Sequence, residues 1–486
     1  MAIKGLKSNY YKYPVKYHEL TEEQCETIIN ASLRIMENIG LVIKHERART
    51  MLKDAGCTVD GETVRFPKEL VIDCINSAAK ELVLYDRNGN KALQVSGTNT
   101  YFGLGPTNPF TNDFETGERR KACRKDVKNS VLVADACPNI DFMMGLAQVQ
   151  DCDIRISDVV EMREMLENTT KPIVGWGVNV QGLKDQVEMC AAVAGGIDKL
   201  REKPFLSLFP GCPVSPLIIA ENEFEKIEYS IQEGFSIVWS SGAQLGTVTP
   251  VTIAGAFSLN LAEIFAGIVL AQLIKKGSCV VCGVVVLTVD MGTTQAAYGS
   301  PEHCIGEAMS ADIFHYLDLP MWQTAGVTDS KSADEQSAIE CSMGALINTI
   351  SGGHMVHDVG FLDGAMSASL DQIVLNDEII GYAKRVARGI TIDEETLAYD
   401  VIEEVGPGGE FLTSEHTAEN FREEFWFPKL IDRSRYTIWE EKKEDMRTRV
   451  HNRTAKILAE HKPEPLSEEV IRKLDAILEE AQKRLS

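Results

Sequence analysis

From about residue 100 onward, short apolar runs rich in β-branched residues alternate with longer runs whose apolar positions recur at helical spacing. Continuous apolar runs are typical of parallel strands that are buried on both faces. Strands that alternate with helices indicate βαβ units, and eight such units are present. The predicted strands are 101–104, 142–147, 172–177, 205–209, 236–239, 279–286, 320–324 and 355–360.

Eight parallel units predict an α/β fold, a (β/α)8 TIM barrel over residues 96–390. An α-rich N-terminal extension is expected over 1–95 and a helical C-terminal extension over 391–486. An open doubly wound sheet is the alternative. Its nucleotide fingerprint is incomplete here, because the turn from Gly103 to Pro109 lacks the third glycine and contains two prolines. The predicted barrel helices are 124–136, 155–167, 182–194, 221–233, 251–275, 302–316, 332–350 and 369–387.

Composition narrows the function classes. The 72 acidic side chains outnumber the 49 lysines and arginines, giving a net charge of −23. Nucleic acids and anionic membranes bind clustered cations, so neither is an expected partner. The first twenty residues contain no apolar leader, and the uncharged stretch 234–262 is broken by polar residues, so we expect a cytoplasmic protein.

The twelve cysteines are expected to be mostly buried free thiols, since most stand among apolar or small residues. One CxxC pair, Cys279 and Cys282, lies inside an apolar run that reads as a buried strand. A second pair at zinc-ligand spacing is missing from the sequence, so no metal site is predicted.

Reactive groups in TIM barrels lie at the carboxyl ends of the strands. Aromatic residues gather in and around the predicted strands, and ring faces bind cations, above all quaternary ammonium groups. The alternative interpretation is that these rings simply fill the barrel. The residues concerned are Tyr101, Trp176, Phe209, Trp239, Trp322 and Phe361.

Polar candidates are fewer. His354 and His357 would face opposite sides of a strand, so we expect one of them to point into the mouth of the barrel. Lys331 is either a Schiff-base lysine or a solvated loop residue. The sequence contains no HExxH, G-x-S-x-G or P-loop motif.

Several long motifs make the chain resemble the trimethylamine methyltransferase family over nearly its whole length. They follow the fifth, seventh and eighth predicted strands and recur in the tail. The matching stretches are 246–255, 260–263, 326–331, 334–336, 352–364, 406–409, His416 and 421–426.

The resemblance implies a TIM barrel that moves a methyl group from a methylamine to the cobalt of a separate corrinoid protein. On this account the chain binds no cofactor tightly, and the partner presents the corrinoid. The founding members carry pyrrolysine, whereas this chain has only the twenty standard residues. It is therefore similar to members that act on quaternary amines such as glycine betaine, proline betaine, carnitine or γ-butyrobetaine.

A quaternary ammonium already carries its charge and leaves as a neutral amine, so no general acid is needed and no catalytic residue is assigned. We expect an aromatic box, a ligand for the substrate carboxylate and an acidic group that balances the ammonium charge. The candidates, in that order, are Tyr101, Trp176 and Phe361; His354 or His357 with Asn179; and Asp329 or Asp358.

Two alternative functions remain. A class-I aldolase-like lyase would use Lys331, and a non-catalytic betaine-binding protein would use the same aromatic residues. The long apolar helices and the aromatic tail favour a homo-oligomer.

Overall fold

A closed ring of eight parallel strands forms the centre of the computed structural model, which describes residues 3–485. Each strand pairs with the next in chain order, and Met355 pairs with Tyr101 to close the ring. The predicted TIM barrel is confirmed. The strands are Tyr101–Leu104, a minimal second strand at 142–143, Ile173–Trp176, Leu206–Phe209, Ile237–Gln244, Val280–Val289, Trp322–Thr324 and Met355–Val359.

Every predicted barrel helix is present, and the bounds differ from the prediction by only a few residues. The helices end where sequence signals place a stop, such as Gly195 and Gly352 in the left-handed region. The barrel helices are Arg124–Ala136, Ser157–Asn168, Val180–Ala194, Glu221–Gln232, Ile253–Ile274, Pro301–Leu317, Glu335–Ser351 and Leu370–Arg388.

The helix Ile253–Ile274 is long and apolar enough to cross a membrane by composition alone. Here it is a core helix, because it packs between the fifth and sixth strands and the N-terminal helices Glu22–Arg34 and Lys68–Ser77. The expected strand–loop–helix order of residues 234–262 is confirmed. Cys282 is fully buried within the sixth strand, as expected for a structural thiol.

A β-hairpin, Leu82–Tyr85 with Lys91–Val95, closes the N-terminal end of the barrel. Its Leu84 and Val95 are fully buried in one cluster with inward-facing residues of the strands, among them Phe142 and Val281. Because apolar side chains fill this end of the barrel, a polar site is expected at the opposite end, where the strands finish.

The remaining elements cover the outside of the barrel. The last two helices pack on it: Met446–Glu460 lies against Leu370–Arg388, and Glu468–Lys483 against Val180–Ala194. The proposed domain boundaries remain predictions. The other elements are Ile35–Ile39, Leu41–Ile43, Glu46–Asp54, Thr58–Asp60, Thr63–Arg65, Phe110–Asn112, Arg119–Lys121, Ile154–Ile156, Ile197–Glu202, Ile218–Ile219, Ala296–Ala297, Phe361–Leu362, Ser367–Ala368, Glu394–Leu397, Tyr399–Val405, Glu415–Glu424 and Tyr436–Lys442.

Replacing Leu84 by alanine should lower the free energy of unfolding by about 2–5 kcal/mol, because it opens a cavity in the apolar filling of the barrel. Val83 occupies the other face of the same hairpin and is only half-buried, so Val83→Ala is the matched control. We expect the control to cost clearly less, measured by denaturant unfolding. Equal losses in the two variants would contradict the assigned role of the hairpin.

Candidate active site

A bulge in the eighth strand turns two polar residues into the mouth of the barrel. The strand register shifts between Val356 and Val359, and both valines pack outward in the core beneath the helices. Asp358, between them, has a φ of 77°, in the left-handed region that few residues other than glycine adopt. The two residues between the valines, His357 and Asp358, therefore both face the interior, where strict alternation would have turned one of them outward.

Asp358 is a buried carboxyl group that pairs with no lysine or arginine among residues 3–485. It is 5% exposed, and its one ion-pair partner among residues 3–485 is His357, with Asp358 Oδ1 3.4 Å from Nε2. Burial raises the pKa of Asp358 to about 8. At neutral pH the carboxyl group therefore holds a proton, and a cation placed beside it would favour the ionised form.

His357 is fixed as a neutral ring. Its Nδ1–H donates to the carbonyl oxygen of Gln323 at 2.6 Å, and its ring lies 4.4 Å from that of Trp322, centroid to centroid. Burial lowers the pKa of His357 to about 4. The lone pair on Nε2 thus faces the Asp358 carboxyl group, and the two form a neutral acid–imidazole pair.

The walls around Asp358 come from three further loops. A Cβ atom at Gly105 would lie 2.1 Å from Asp358 Oδ1 and 2.4 Å from Phe361 Cζ, so both side chains reach the end of the first strand. Burial raises the pKa of Tyr298, and the Asp358 carboxylate raises it further. Cys212 follows the end of the fourth strand and is exposed, so its thiol lies at the same end of the barrel. The Phe361 ring thus lies beside the carboxyl group, and Tyr298 and Cys212 lie in loops at the same end of the barrel.

Asp329 positions the loop that carries Tyr298, and its carboxylate is not a free charge at the mouth. Its two carboxylate oxygens accept the backbone N–H groups of Tyr298 and Gly299, each at 2.9 Å. Glu340 in turn accepts the Asp329 N–H at 2.9 Å. The prediction that Asp329 balances a substrate charge is not supported, because its oxygens are used to hold the loop that carries Tyr298.

Two predicted site residues lie at the wrong end of the barrel. The hydroxyl oxygen of Tyr101 accepts the N–H of Gln94 in the hairpin that closes the barrel. His354 Nε2–H donates to Gly97 O at 3.0 Å, and Nδ1 accepts the Met321 N–H at 3.3 Å. These residues begin their strands, so the structure removes Tyr101 and His354 from the candidate site.

Asn179 and Trp176 lie at the end of the third strand, three strands along from the eighth. Asn179 is a helix cap: its Oδ1 accepts the Gly182 N–H at 3.1 Å, which is a structural role. Trp176 is half-buried, and its indole N–H donates to Glu161 Oε1 at 2.9 Å. Trp176 therefore lies at the mouth of the barrel, whereas the side-chain oxygen of Asn179 is already occupied by a backbone N–H group.

Lys331 lacks the surroundings of a Schiff-base nucleophile. Its side chain is 75% exposed, and Nζ lies 2.6 Å from Asp329 O and 3.5 Å from Asp363. A lysine that attacks carbonyl groups is activated by desolvation or by a neighbouring cation. The solvated-loop interpretation is the one that fits this environment.

Four residues near the mouth were not predicted from the sequence: Gly105, Cys212, Tyr298 and Glu307. Glu307 Oε2 accepts the Thr324 N–H at 2.8 Å, and burial raises its pKa well above the ordinary value. An acid in the otherwise apolar and small-residue run 304–311 was a usable signal for Glu307. The others stand in loops or at a glycine, where no periodicity marks them.

Comparisons with known proteins agree with this architecture. A family model described as trimethylamine methyltransferase matches residues 6–485. The chain belongs to the trimethylamine methyltransferase family. It is 33% identical to a glycine betaine methyltransferase of Desulfitobacterium hafniense strain Y51, over 95% of this chain and 97% of the relative. It is 31% identical to a trimethylamine methyltransferase of strain DCB-2 of the same species, over 95% and 93%.

A solved structure supports the same fold for this family member. The monomethylamine methyltransferase of Methanosarcina barkeri superposes with a TM-score of 0.53, covering 94% of this chain and 93% of its own, at 13% identity. At that identity the likeness concerns the fold alone.

The Asp358→Asn variant should be more stable than the parent protein, and the gain should grow as pH rises from about 4 to about 8. In that window the carboxyl group ionises in the unfolded chain but stays protonated in the folded one, so the parent loses stability while asparagine does not. Unfolding midpoints measured across this pH range check the prediction. A stability gap that does not change with pH would contradict the raised pKa of Asp358.

Proposed function

We propose that this chain transfers a methyl group from a quaternary amine, with glycine betaine as the first candidate, to the Co(I) of a corrinoid carried by a separate cytoplasmic protein. Family membership supports methyl transfer. The relative named glycine betaine methyltransferase, at 33% identity over nearly the full length, supports the substrate.

The observation that carries the proposal is the buried Asp358 without a lysine or arginine partner among residues 3–485. A quaternary ammonium has no N–H group to donate, so it binds through its charge and through ring faces. The Asp358 carboxylate would supply the opposite charge, and the ring of Phe361 lies close to it. Tyr298, in the loop after the sixth strand, is a second ring at the same end of the barrel. Of the three predicted box residues, Phe361 stands beside this carboxyl group and Trp176 lies farther around the rim.

Binding and ionisation are coupled in this arrangement. A cation within about 4–6 Å lowers the pKa of a carboxyl group, so the substrate would drive the proton from Asp358. The electrostatic attraction is strong because both groups are shielded from water. The site thus holds a neutral acid when empty of substrate and an anion when the ammonium is bound.

In the transfer step the electron pair of Co(I) forms the cobalt–carbon bond while the carbon–nitrogen bond breaks. That bond's electron pair stays on nitrogen, and a neutral tertiary amine leaves without needing a proton. The chain's own task is to aim one N-methyl group at the opening, which is catalysis by proximity and orientation. When the nitrogen loses its charge, Asp358 takes up a proton from solvent. The neutral amine product is then no longer held by electrostatic attraction to a carboxylate.

The purified chain, mixed with cob(I)alamin and glycine betaine, should produce methylcobalamin, followed by absorbance. Tetramethylammonium and trimethylamine complete the substrate panel. Asp358→Asn should reduce kcat/KM by about 100-fold or more, because an amide cannot balance the ammonium charge. Asp363→Asn is the matched control, since Asp363 pairs with Arg119 and Lys331 at the surface.

Two results would count against this function. Tight betaine binding without methylcobalamin would indicate a betaine-binding protein. Equal rates for the Asp358→Asn and Asp363→Asn variants would show that Asp358 does not bind the substrate.

A further inference from the structure

A projecting segment, residues 390–424, hereafter the arm, contains no buried residue. Its three helices, Glu394–Leu397, Tyr399–Val405 and Glu415–Glu424, have none either. Large apolar side chains nevertheless stand in solvent along it: Ile390, Ile392, Leu397, Tyr399, Ile402, Phe411 and Leu412. Helices this short are not stable alone in water, and exposed apolar patches mark interaction surfaces.

The arm leaves and rejoins the body at the end of the barrel opposite the mouth. It follows the carboxyl end of the helix Leu370–Arg388, which runs away from the mouth. Arg388 donates to the backbone oxygen of Glu423, and Arg385 donates to that of Glu424 at 2.7 Å. A partner bound to the arm near these attachment points would leave the mouth free for a methyl acceptor.

The arm is strongly acidic: it contains eleven aspartates and glutamates and a single arginine. This charge would repel most of the surface of a chain whose net charge is −23. The occupant of the arm must therefore present apolar groups together with a local cluster of cations.

One segment of this chain has that chemistry, and it lies at the same end of the barrel. Residues 3–18, the base segment, include no carboxylate and four exposed lysines, Lys4, Lys7, Lys12 and Lys16. Tyr11, among them, is 78% exposed. Within residues 3–485 the one ion pair of these lysines is Lys12 with Asp318. Lys16 Nζ donates to the backbone oxygen of Val386 at 3.5 Å, so Lys4, Lys7 and Lys16 have no carboxylate partner among these residues.

The base segment is fixed to the barrel, so it offers a rigid docking surface. The backbone N–H of Asn9 donates to Tyr316 O at 3.0 Å, and that of Lys16 donates to Ile350 O at 2.9 Å. Both acceptors lie at the carboxyl ends of barrel helices, on the face from which the arm departs.

We propose that the arm docks on the base segment of a second copy of this chain, and that the exchange is reciprocal about a two-fold axis. A single chain supplies both complementary surfaces, as an isologous dimer requires. The apolar arm residues gain burial, and the arm carboxylates meet the lysines. The interface does not involve the mouth, so its test does not depend on the proposed reaction.

Light scattering after size-exclusion chromatography should give the full chain about twice its 53.7 kDa mass. A base variant (Lys4→Glu, Lys7→Glu, Lys16→Glu) and an arm variant (Glu394→Lys, Glu395→Lys, Glu403→Lys, Glu404→Lys) should each dissociate at least tenfold more readily. Reversing Lys121, Lys125 and Lys128, which are exposed elsewhere on the chain, is the control and should leave the dimer intact.

Mixing the two variants gives the decisive result. In a mixed pair each reversed surface meets one of opposite charge, so two chains that are separately monomeric should form a heterodimer. Thermal unfolding confirms that each variant is folded before mixing. A monomeric parent chain, or folded variants that stay monomeric when mixed, would overturn the proposal.

Discussion

The interior of a closed parallel barrel has two ends, and a ligand site at one of them requires that the other be filled. Here the filling comes from a hairpin, Leu82–Tyr85 with Lys91–Val95, inserted where the strands begin. The position of an inward-facing side chain along its strand therefore determines which end of the barrel it faces. Those at the start of a strand, such as Tyr101 and His354, lie at the filled end, and those at the end of a strand face the mouth.

The second consequence is electrostatic. The surrounding residues shield Asp358 and His357 from water, and burial shifts the two pKa values in opposite directions, to about 8 and about 4. Both groups are then neutral near pH 7, which avoids the large free-energy cost of a buried unpaired charge. A substrate with a permanent positive charge changes that balance. Under the proposed function the site would respond to a cation by ionising, a property that a pre-formed ion pair with lysine or arginine would lack.

The barrel itself could be predicted from the sequence because buried parallel strands are continuous apolar runs, and helical spacing marks the segments between them. The candidate site could be predicted only in part. His357, Asp358 and Phe361 were found because they follow or end a strand. The bulge that turns Asp358 inward depends on one backbone angle, which alternation of residue types does not reveal. The loop that carries Tyr298 is held because the Tyr298 backbone N–H donates to the Asp329 carboxylate, a connection between distant loops that spacing along the chain cannot show.

Proton release on binding tests the central claim most directly. Calorimetric titration of the protein with glycine betaine at pH 7, repeated in buffers of different ionisation enthalpy, counts the protons displaced. The coupling of Asp358 to the ammonium predicts that nearly one proton is released, that affinity rises with pH up to about 8, and that Asp358→Asn abolishes the release. Betaine binding with no proton released, and with an affinity independent of pH between 6 and 8, would contradict it.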